Sequence, residues 1–230
     1  MADNTYLPKV YRKEGGNAQI VANGGYTDYE DGAELRDRGV PIIGANATYV
    51  GAIAAQPASG SVAVAITRMG PFFSLTFTLT AAQIPVTDAA GSGSSGSLKL
   101  FDFVQGGVVP LGCRQDYSAF AEGAALTGGA GDAAFVMGLG SAAANAGDGA
   151  LTGTEVDFGA VTATITLSSG TATASKFSGA GLNTSAALDG TATAVDLYLN
   201  WSGSAATIDA NSTIDVTGTI TVIGALLGDD

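Results

Sequence analysis

The sequence predicts an all-β protein: an antiparallel β-sandwich or jelly-roll-like body with an extended N-terminal arm. Three observations predict it. In every strongly patterned stretch the bulky apolar residues fall on alternate positions, the period of a strand with one buried face. Only 13% of the 230 residues are charged, whereas 34 are glycine. That composition disfavours helical bundles and suits short strands separated by many turns. Finally, no window combines sustained helical periodicity with capping residues.

Residues 1–40 differ from the rest. They hold five of the nine basic residues (Lys9, Arg12, Lys13, Arg36, Arg38), and four of the seven tyrosines (Tyr6, Tyr11, Tyr26, Tyr29), with acidic residues among them and no regular period. Such a segment reads as an arm that lies against another surface. Tyrosine contributes contact area for little rotamer entropy, and mixed charges can set register on a partner. The expected partner-binding residues are therefore Tyr6, Tyr11, Arg12, Lys13, Tyr26, Tyr29, Arg36 and Arg38. Residues 41–230 are expected to form a single body, because the strands on either side of the Ser/Gly-rich stretch 91–97 are too few to fold alone.

Within the body, Val62, Val64 and Ile66 alternate with alanines and mark a weak strand. After Pro71, Phe73, Leu75, Phe77 and Leu79 face one way and Ser74, Thr76, Thr78 and Thr80 the other, which predicts a central core strand. The runs SLKLFDFV (97–104) and VVPLGCRQ (108–115) flank Gly106-Gly107, a dipeptide suited to a tight turn, so a hairpin is predicted there. Pro110 in its second arm lacks a ladder donor and points to an edge position or a bulge. A Gly/Ala-rich region follows, containing the apolar run 133–139, and then a strand at Val161–Leu167. Near the end, Val195, Leu197, Leu199 and Trp201 alternate with Asp196, Tyr198 and Asn200. Ile214, Val216, Ile220 and Val222 do so with Asp215, Thr217, Thr219 and Thr221, and these two strands are expected to pair with each other. Phe73, Leu75, Phe77, Leu197, Leu199 and Trp201 are the expected core.

Charge and missing residue types exclude several functions. The formal net charge is −12, from 9 Lys+Arg against 21 Asp+Glu. An acidic surface repels phosphate backbones and anionic lipid, so neither nucleic acid nor membrane is an expected partner. No apolar run reaches the length of a membrane span. The first residues carry neither a basic segment nor an apolar one, so no secretory signal is expected, and the asparagine sequons are read as chance. Cys113 is the single cysteine, which rules out an intrachain disulfide. Histidine is absent, and with it Ser-His and Cys-His nucleophilic sites and the usual zinc sets.

Motif matches are weak. Gly91-Ser-Gly-Ser-Ser-Gly96 has dinucleotide-loop spacing but leads into a strand, and Gly138-Leu-Gly-Ser-Ala-Ala143 is followed by glycines that stop a helix. Gly128–Asp132 is read as a turn rather than a calcium loop. Asp28, Glu30, Asp31, Asp229 and Asp230 are read as solvated charge, since their spacing fits no cation loop. No cofactor, metal or catalytic residue is expected.

In SLKLFDFVQGGVVPLG (97–112), GTATAVDLYLNW (190–201) and TIDVTGTITVIGALLGD (213–229) the chain resembles small structural proteins of tailed-bacteriophage virions, of the kind that decorate or cement the head. The resemblance spans about the last 135 residues and is one of pattern. It implies a non-enzymatic protein, made in the host cytoplasm and found on the outer capsid surface. There it would bind the lattice of the major capsid protein as a homo-oligomer, with a homotrimer expected. A receptor- or glycan-binding head-fibre module is the alternative, and a carboxylate-based glycosidase ranks below both.

Overall fold

The computed structural model describes residues 10–12, 19–21, 35–37, 40–43, 50–88, 93–122, 132–144, 150–159, 162, 165–168, 187–203 and 211–227. It is all-β. Near the N-terminus, β1 (Val10–Arg12) pairs with β2 (Gln19–Val21), and β3 (Leu35–Asp37) with β4 (Val40–Ile43), as two separate antiparallel ladders. The body is one nine-stranded antiparallel sheet. Its strands are β5 (Gly51–Ile53), β6 (Ser61–Met69), β7 (Phe72–Asp88), β8 (Ser94–Phe103), β9 (Val108–Glu122), β10 (Asp132–Gly140), β11 (Ile165–Ser168), β12 (Asp196–Gly203) and β13 (Ser212–Leu226). Among the described residues the one helical element is a single 3-10 turn, Gly153–Glu155.

The sheet divides at a fork. β7 and β8 pair over only three residues, Val86–Asp88 against Ser94–Gly96. Beyond that point each takes a different neighbour: β6 pairs with Phe72–Thr80 of β7, and β5 with Phe101–Phe103 of β8. One half therefore runs β6-β7-β13-β9 and the other β5-β8-β12-β10-β11. The halves fold over each other, so that rings from both meet in the interior. Phe73 lies 5.5 Å from Phe103, Phe77 6.1 Å from Phe101, and Phe120 of β9 5.3 Å from Phe135 of β10. Phe135 then contacts Trp201 at 5.6 Å. The six expected core residues, Phe73, Leu75, Phe77, Leu197, Leu199 and Trp201, are all at most 2% exposed. This is the predicted sandwich, built by curling one sheet.

Four bulges produce the curl. Thr80 and Ala81 of β7 together oppose Thr217 of β13, and Ala81 has a φ of 45°. Across β13 at the same level, Ser118 of β9 is an extra residue opposite Thr217 and Gly218, and Leu111 is a second extra residue opposite Ile223 and Gly224. On β8 the extra residue is Leu100, opposite Leu197 and Tyr198. A bulge bends its strand and shifts the alternation by one. Thus Leu79 and Ala82, Leu98 and Phe101, and Tyr117 and Phe120 all point inward although each pair is three apart. Strict alternation, as used in reading the sequence, cannot see these shifts.

Two expected pairings are corrected. β8 and β9 do not form a hairpin across Gly106-Gly107, because they lie in opposite halves of the sheet. The Gly106 N–H donates instead to Gly190 O (3.1 Å), and Val108 and Leu188 exchange backbone hydrogen bonds at 2.9 and 2.7 Å. The dipeptide is a crossover between layers. Likewise β12 and β13 do not pair: β12 sits between β10 and β8, and β13 between β7 and β9. Their inward faces are as expected, but long-range neighbours outcompete the local one. Pro110 does stand on the outermost strand beside a bulge, as its missing donor requires.

Two stability measurements check this arrangement. Phe77→Ala or Leu197→Ala should cost about 2–5 kcal/mol in chemical denaturation, while Thr78→Ala, whose side chain is exposed, should change stability by less than about 0.5 kcal/mol. At the first bulge, Ala81→Gly should be neutral or stabilising, since glycine accepts a positive φ without strain. Gly60→Ala should destabilise by more than about 1 kcal/mol, because its φ is 73° and a Cβ there would lie 1.9 Å from Ala81 O.

Candidate interaction surfaces

The two outer faces of the curled sheet differ, and the difference begins with glycines. On β10, Phe135, Met137 and Leu139 point inward, which leaves Gly138 and Gly140 on the outer face. A Cβ on Gly138 would meet Val156 Cγ1 at 2.6 Å, and one on Gly140 would meet the Glu155 carbonyl carbon at 2.2 Å. Their bare backbone lets the segment 150–156 lie directly on the sheet. This is the role of the Gly138-Leu-Gly140 spacing, and Ser141 and Ala142 continue as a bend, not as a helix. The segment then rounds the β10 margin, where Phe158 enters the core to stack on Phe103 with an interplanar angle of 4°.

Polar side chains fasten this strap. Asn200 of β12, expected on the solvent face, is fully buried beneath it. Its Nδ2 donates to Ala142 O (2.9 Å) and Glu155 O (2.8 Å). Its Oδ1 accepts from Ser97 Oγ (2.7 Å) and the Ala144 N–H (3.1 Å). All four hydrogen-bonding positions of the amide are used. At the end of β10, Asp157 accepts from the Ser141 N–H (2.7 Å) and Ser141 Oγ (2.5 Å). Burial raises the Asp157 pKa above its ordinary 3.8, against the opposing effect of those hydrogen bonds.

Beside the strap lies a small charged cluster. The bulge at Leu100 puts Lys99 and Asp102 on the same outer face, where a regular strand would separate them. Lys99 Nζ pairs with Asp102 and, at 2.9 Å, with Asp196 Oδ2, which also accepts from Tyr198 Oη at 3.2 Å. The hydrogen bond that Lys99 donates to Asp102, and then the one to Asp196, hold its ammonium above its ordinary pKa, outweighing partial desolvation. Next to it, in the mouth of the fork, a cleft of about 430 Å³ is lined by Ala54, Pro57, Gln83, Pro85, Lys99 and Asp102, among others.

The outer face of β6-β7-β13-β9 is open. Thr76, Thr78 and Thr80 of β7 lie beside Thr217, Thr219 and Thr221 of β13, with Thr78 opposite Thr219 and Thr76 opposite Thr221. Ala63, Ala65 and Thr67 of β6 extend the same face. Arg114 and Asp116 of β9, opposite Thr221 and Thr219, pair with each other at 3.2 Å. At the end of this face nearest the β6–β7 turn, Phe72, Leu111, Ile223 and Leu227 are each 45–50% exposed. Four of the five exposed large apolar side chains among the described residues thus gather at one end of one face. Sequence reading placed Thr76, Thr78 and Thr80 outward correctly. It missed the apolar cluster, because Phe72 of β7 and Leu111 of β9 are brought to the same level only by the register of β13 between them.

Of the partner-binding residues expected from the sequence, Tyr11 and Arg12 fall on β1 and Arg36 on β3. Tyr6, Lys13, Tyr26, Tyr29 and Arg38 lie outside the described residues, as do the carboxylates at 28, 30, 31, 229 and 230. Among the described residues no three His, Cys, Asp or Glu side chains gather closely enough to hold a metal ion, and no helix is long and apolar enough to cross a membrane.

The strap yields a pH test. Between 3.8 and its raised folded value, Asp157 keeps a proton in the folded state that the unfolded chain has already lost. Stability should therefore rise as pH falls through that window and decline as pH rises through it. Asp157→Asn, which can keep both contacts to Ser141, should flatten this part of the profile, measured as the denaturation midpoint against pH. Asn200→Ala should cost about 1–3 kcal/mol at any pH, since it leaves buried partners unsatisfied. Comparison of the chain with family models, curated proteins and solved structures finds no match.

Proposed function

We propose that this chain is a non-enzymatic structural protein of a bacteriophage virion, which decorates the outer capsid surface and stabilises it through contacts with the major capsid protein. The observation that carries the reading is the open face of β6-β7-β13-β9. It combines hydroxyl and methyl groups of threonine and alanine with an apolar end, and its one ion pair among the described residues, Arg114 with Asp116, is internal. The face carries one further described charge, Asp215 of β13, so a protein lattice can desolvate it while supplying a single cationic or hydrogen-bonding partner there. The net charge of −12 disfavours nucleic acid as the competing partner. A homotrimer matches three-fold positions of an icosahedral shell, where each further contact forms at high effective concentration once one subunit is engaged. Residues 1–40 act as the anchoring arm in this reading.

The cleft between the halves favours one alternative, a receptor- or glycan-binding head-fibre module. Gln83, Lys99 and Asp102 place hydrogen-bonding groups over small apolar side chains there, a combination that suits a sugar. Copy number separates the two. Quantitative mass spectrometry of purified particles should find hundreds of copies for a cement and tens for a receptor binder. Adding the protein back to particles that lack it should restore their heat resistance, and Ile223→Lys, at an exposed position, should reduce that occupancy at least tenfold. Deleting residues 1–40 should also lower occupancy while leaving the body folded. Tens of copies, or full occupancy by Ile223→Lys, would overturn the reading.

A further inference from the structure

Strand β6 is a margin of the sheet. All nine of its residues pair with β7, and among the described residues no strand pairs with its other side. Exposed margins are ordinarily blunted by lysine, proline or a bulge. β6 reads SVAVAITRM, runs in unbroken register, has no proline, and carries one ionisable residue, Arg68.

The hydrogen-bonding parity of this margin can be worked out. Met69 and Phe72 are opposite each other across the two-residue turn Gly70-Pro71, and a two-residue hairpin closes on a hydrogen-bonded pair. Counting back in twos, Thr67, Ala65, Ala63 and Ser61 turn their peptide groups toward β7. Val62, Val64, Ile66 and Arg68 turn theirs outward. Gln56 bears this out, since its side-chain amide donates to Val62 O at 3.0 Å and accepts from the Val62 N–H at 2.9 Å. One outward position is thus capped by a side chain that imitates a peptide, and no described residue does the same for Val64 and Ile66. The side chains agree. Val62 is buried, whereas Val64 and Ile66, on the same inward face, are only partly covered because the sheet stops there.

We infer that β6 pairs antiparallel with β6 of a second copy of this chain, about a two-fold axis at Ala65. The margin is complementary to itself in that register. Val64 stands opposite Ile66 of the partner subunit, and both have outward peptide groups, so two hydrogen-bonded pairs form symmetrically about the axis. Their half-covered side chains complete each other's burial. A slip of one residue would set outward groups against inward ones and lose the ladder. The two Arg68 residues lie three positions from the axis on opposite sides, about 20 Å apart, which exceeds the Debye length of about 8 Å at physiological salt. The inference rests on β6 alone and holds whether or not the chain belongs to a capsid. In a shell decorated at three-fold positions, the same seam would join copies on neighbouring positions.

Cysteine scanning tests both pairing and register. Ala65 is exposed and faces its own copy as a non-hydrogen-bonded pair, with Cα atoms about 4.5 Å apart, within disulfide reach. Oxidation of Ala65→Cys with diamide should give a disulfide-linked dimer on non-reducing gels. Ala63→Cys, equally exposed but about 13 Å from its counterpart in this register, should remain unlinked, as should the wild type, whose Cys113 is buried. Ala65→Lys sets two ammonium groups on the axis without touching the core. It should halve the sedimenting mass at tens of micromolar protein while leaving the circular dichroism spectrum unchanged. Absence of the Ala65→Cys dimer, linking of Ala63→Cys to the same extent, or a sedimenting mass unaltered by Ala65→Lys would overturn the inference.

Discussion

The structure depends on the short pairing between β7 and β8. Three paired residues join the two halves of the sheet, and everything that makes the protein globular follows from their divergence beyond Gly96. A nine-stranded sheet with one apolar face cannot remain open in water, because its inner side chains would be exposed along its whole width. Splaying at the fork lets that face close on itself. Phe73 and Phe77 then reach Phe103 and Phe101, which an unbroken β7–β8 ladder would leave several residues out of register. The bulges on β7, β8 and β9 supply the bend. They work because each occurs where the apolar alternation also skips a residue, so backbone and side-chain pattern agree.

Curling gives the molecule two unequal outsides. Over β8-β12-β10 the strap residues 141–144 and 150–159 cover the sheet, held by Asn200, Asp157 and the bare backbone at Gly138 and Gly140. Burying these polar groups costs free energy unless every one is bonded, and the four contacts of Asn200 meet that condition. The strap therefore lies in a single place. Over β6-β7-β13-β9 nothing comparable lies among the described residues, and the threonine rows and the apolar end face outward. That asymmetry is why the proposed contact surface belongs to this half. It is also why the β6 margin, on the same half, is the place where a second copy could extend the sheet.

The sequence by itself determined the fold class and most inward faces. Alternation requires only that one face be buried, so Phe73, Leu75, Phe77, Leu197, Leu199 and Trp201 could be assigned to the core without knowing their neighbours. It equally placed Thr76, Thr78 and Thr80 outward. The chain order suggested that β8 pairs with β9 and β12 with β13, and both pairings were decided otherwise by the tertiary structure. Each of these strands has an apolar face that can be buried against several partners, and the choice rests on which arrangement buries all of them at once. Asn200 shows the same limit. Its position in the alternation assigns it to the outer face, correctly, but only the strap residues 142–144 and 155 lying over it make that face an interior. The apolar cluster of Phe72, Leu111, Ile223 and Leu227 arises likewise from register between strands far apart in sequence, and local pattern carries no information about register of that kind.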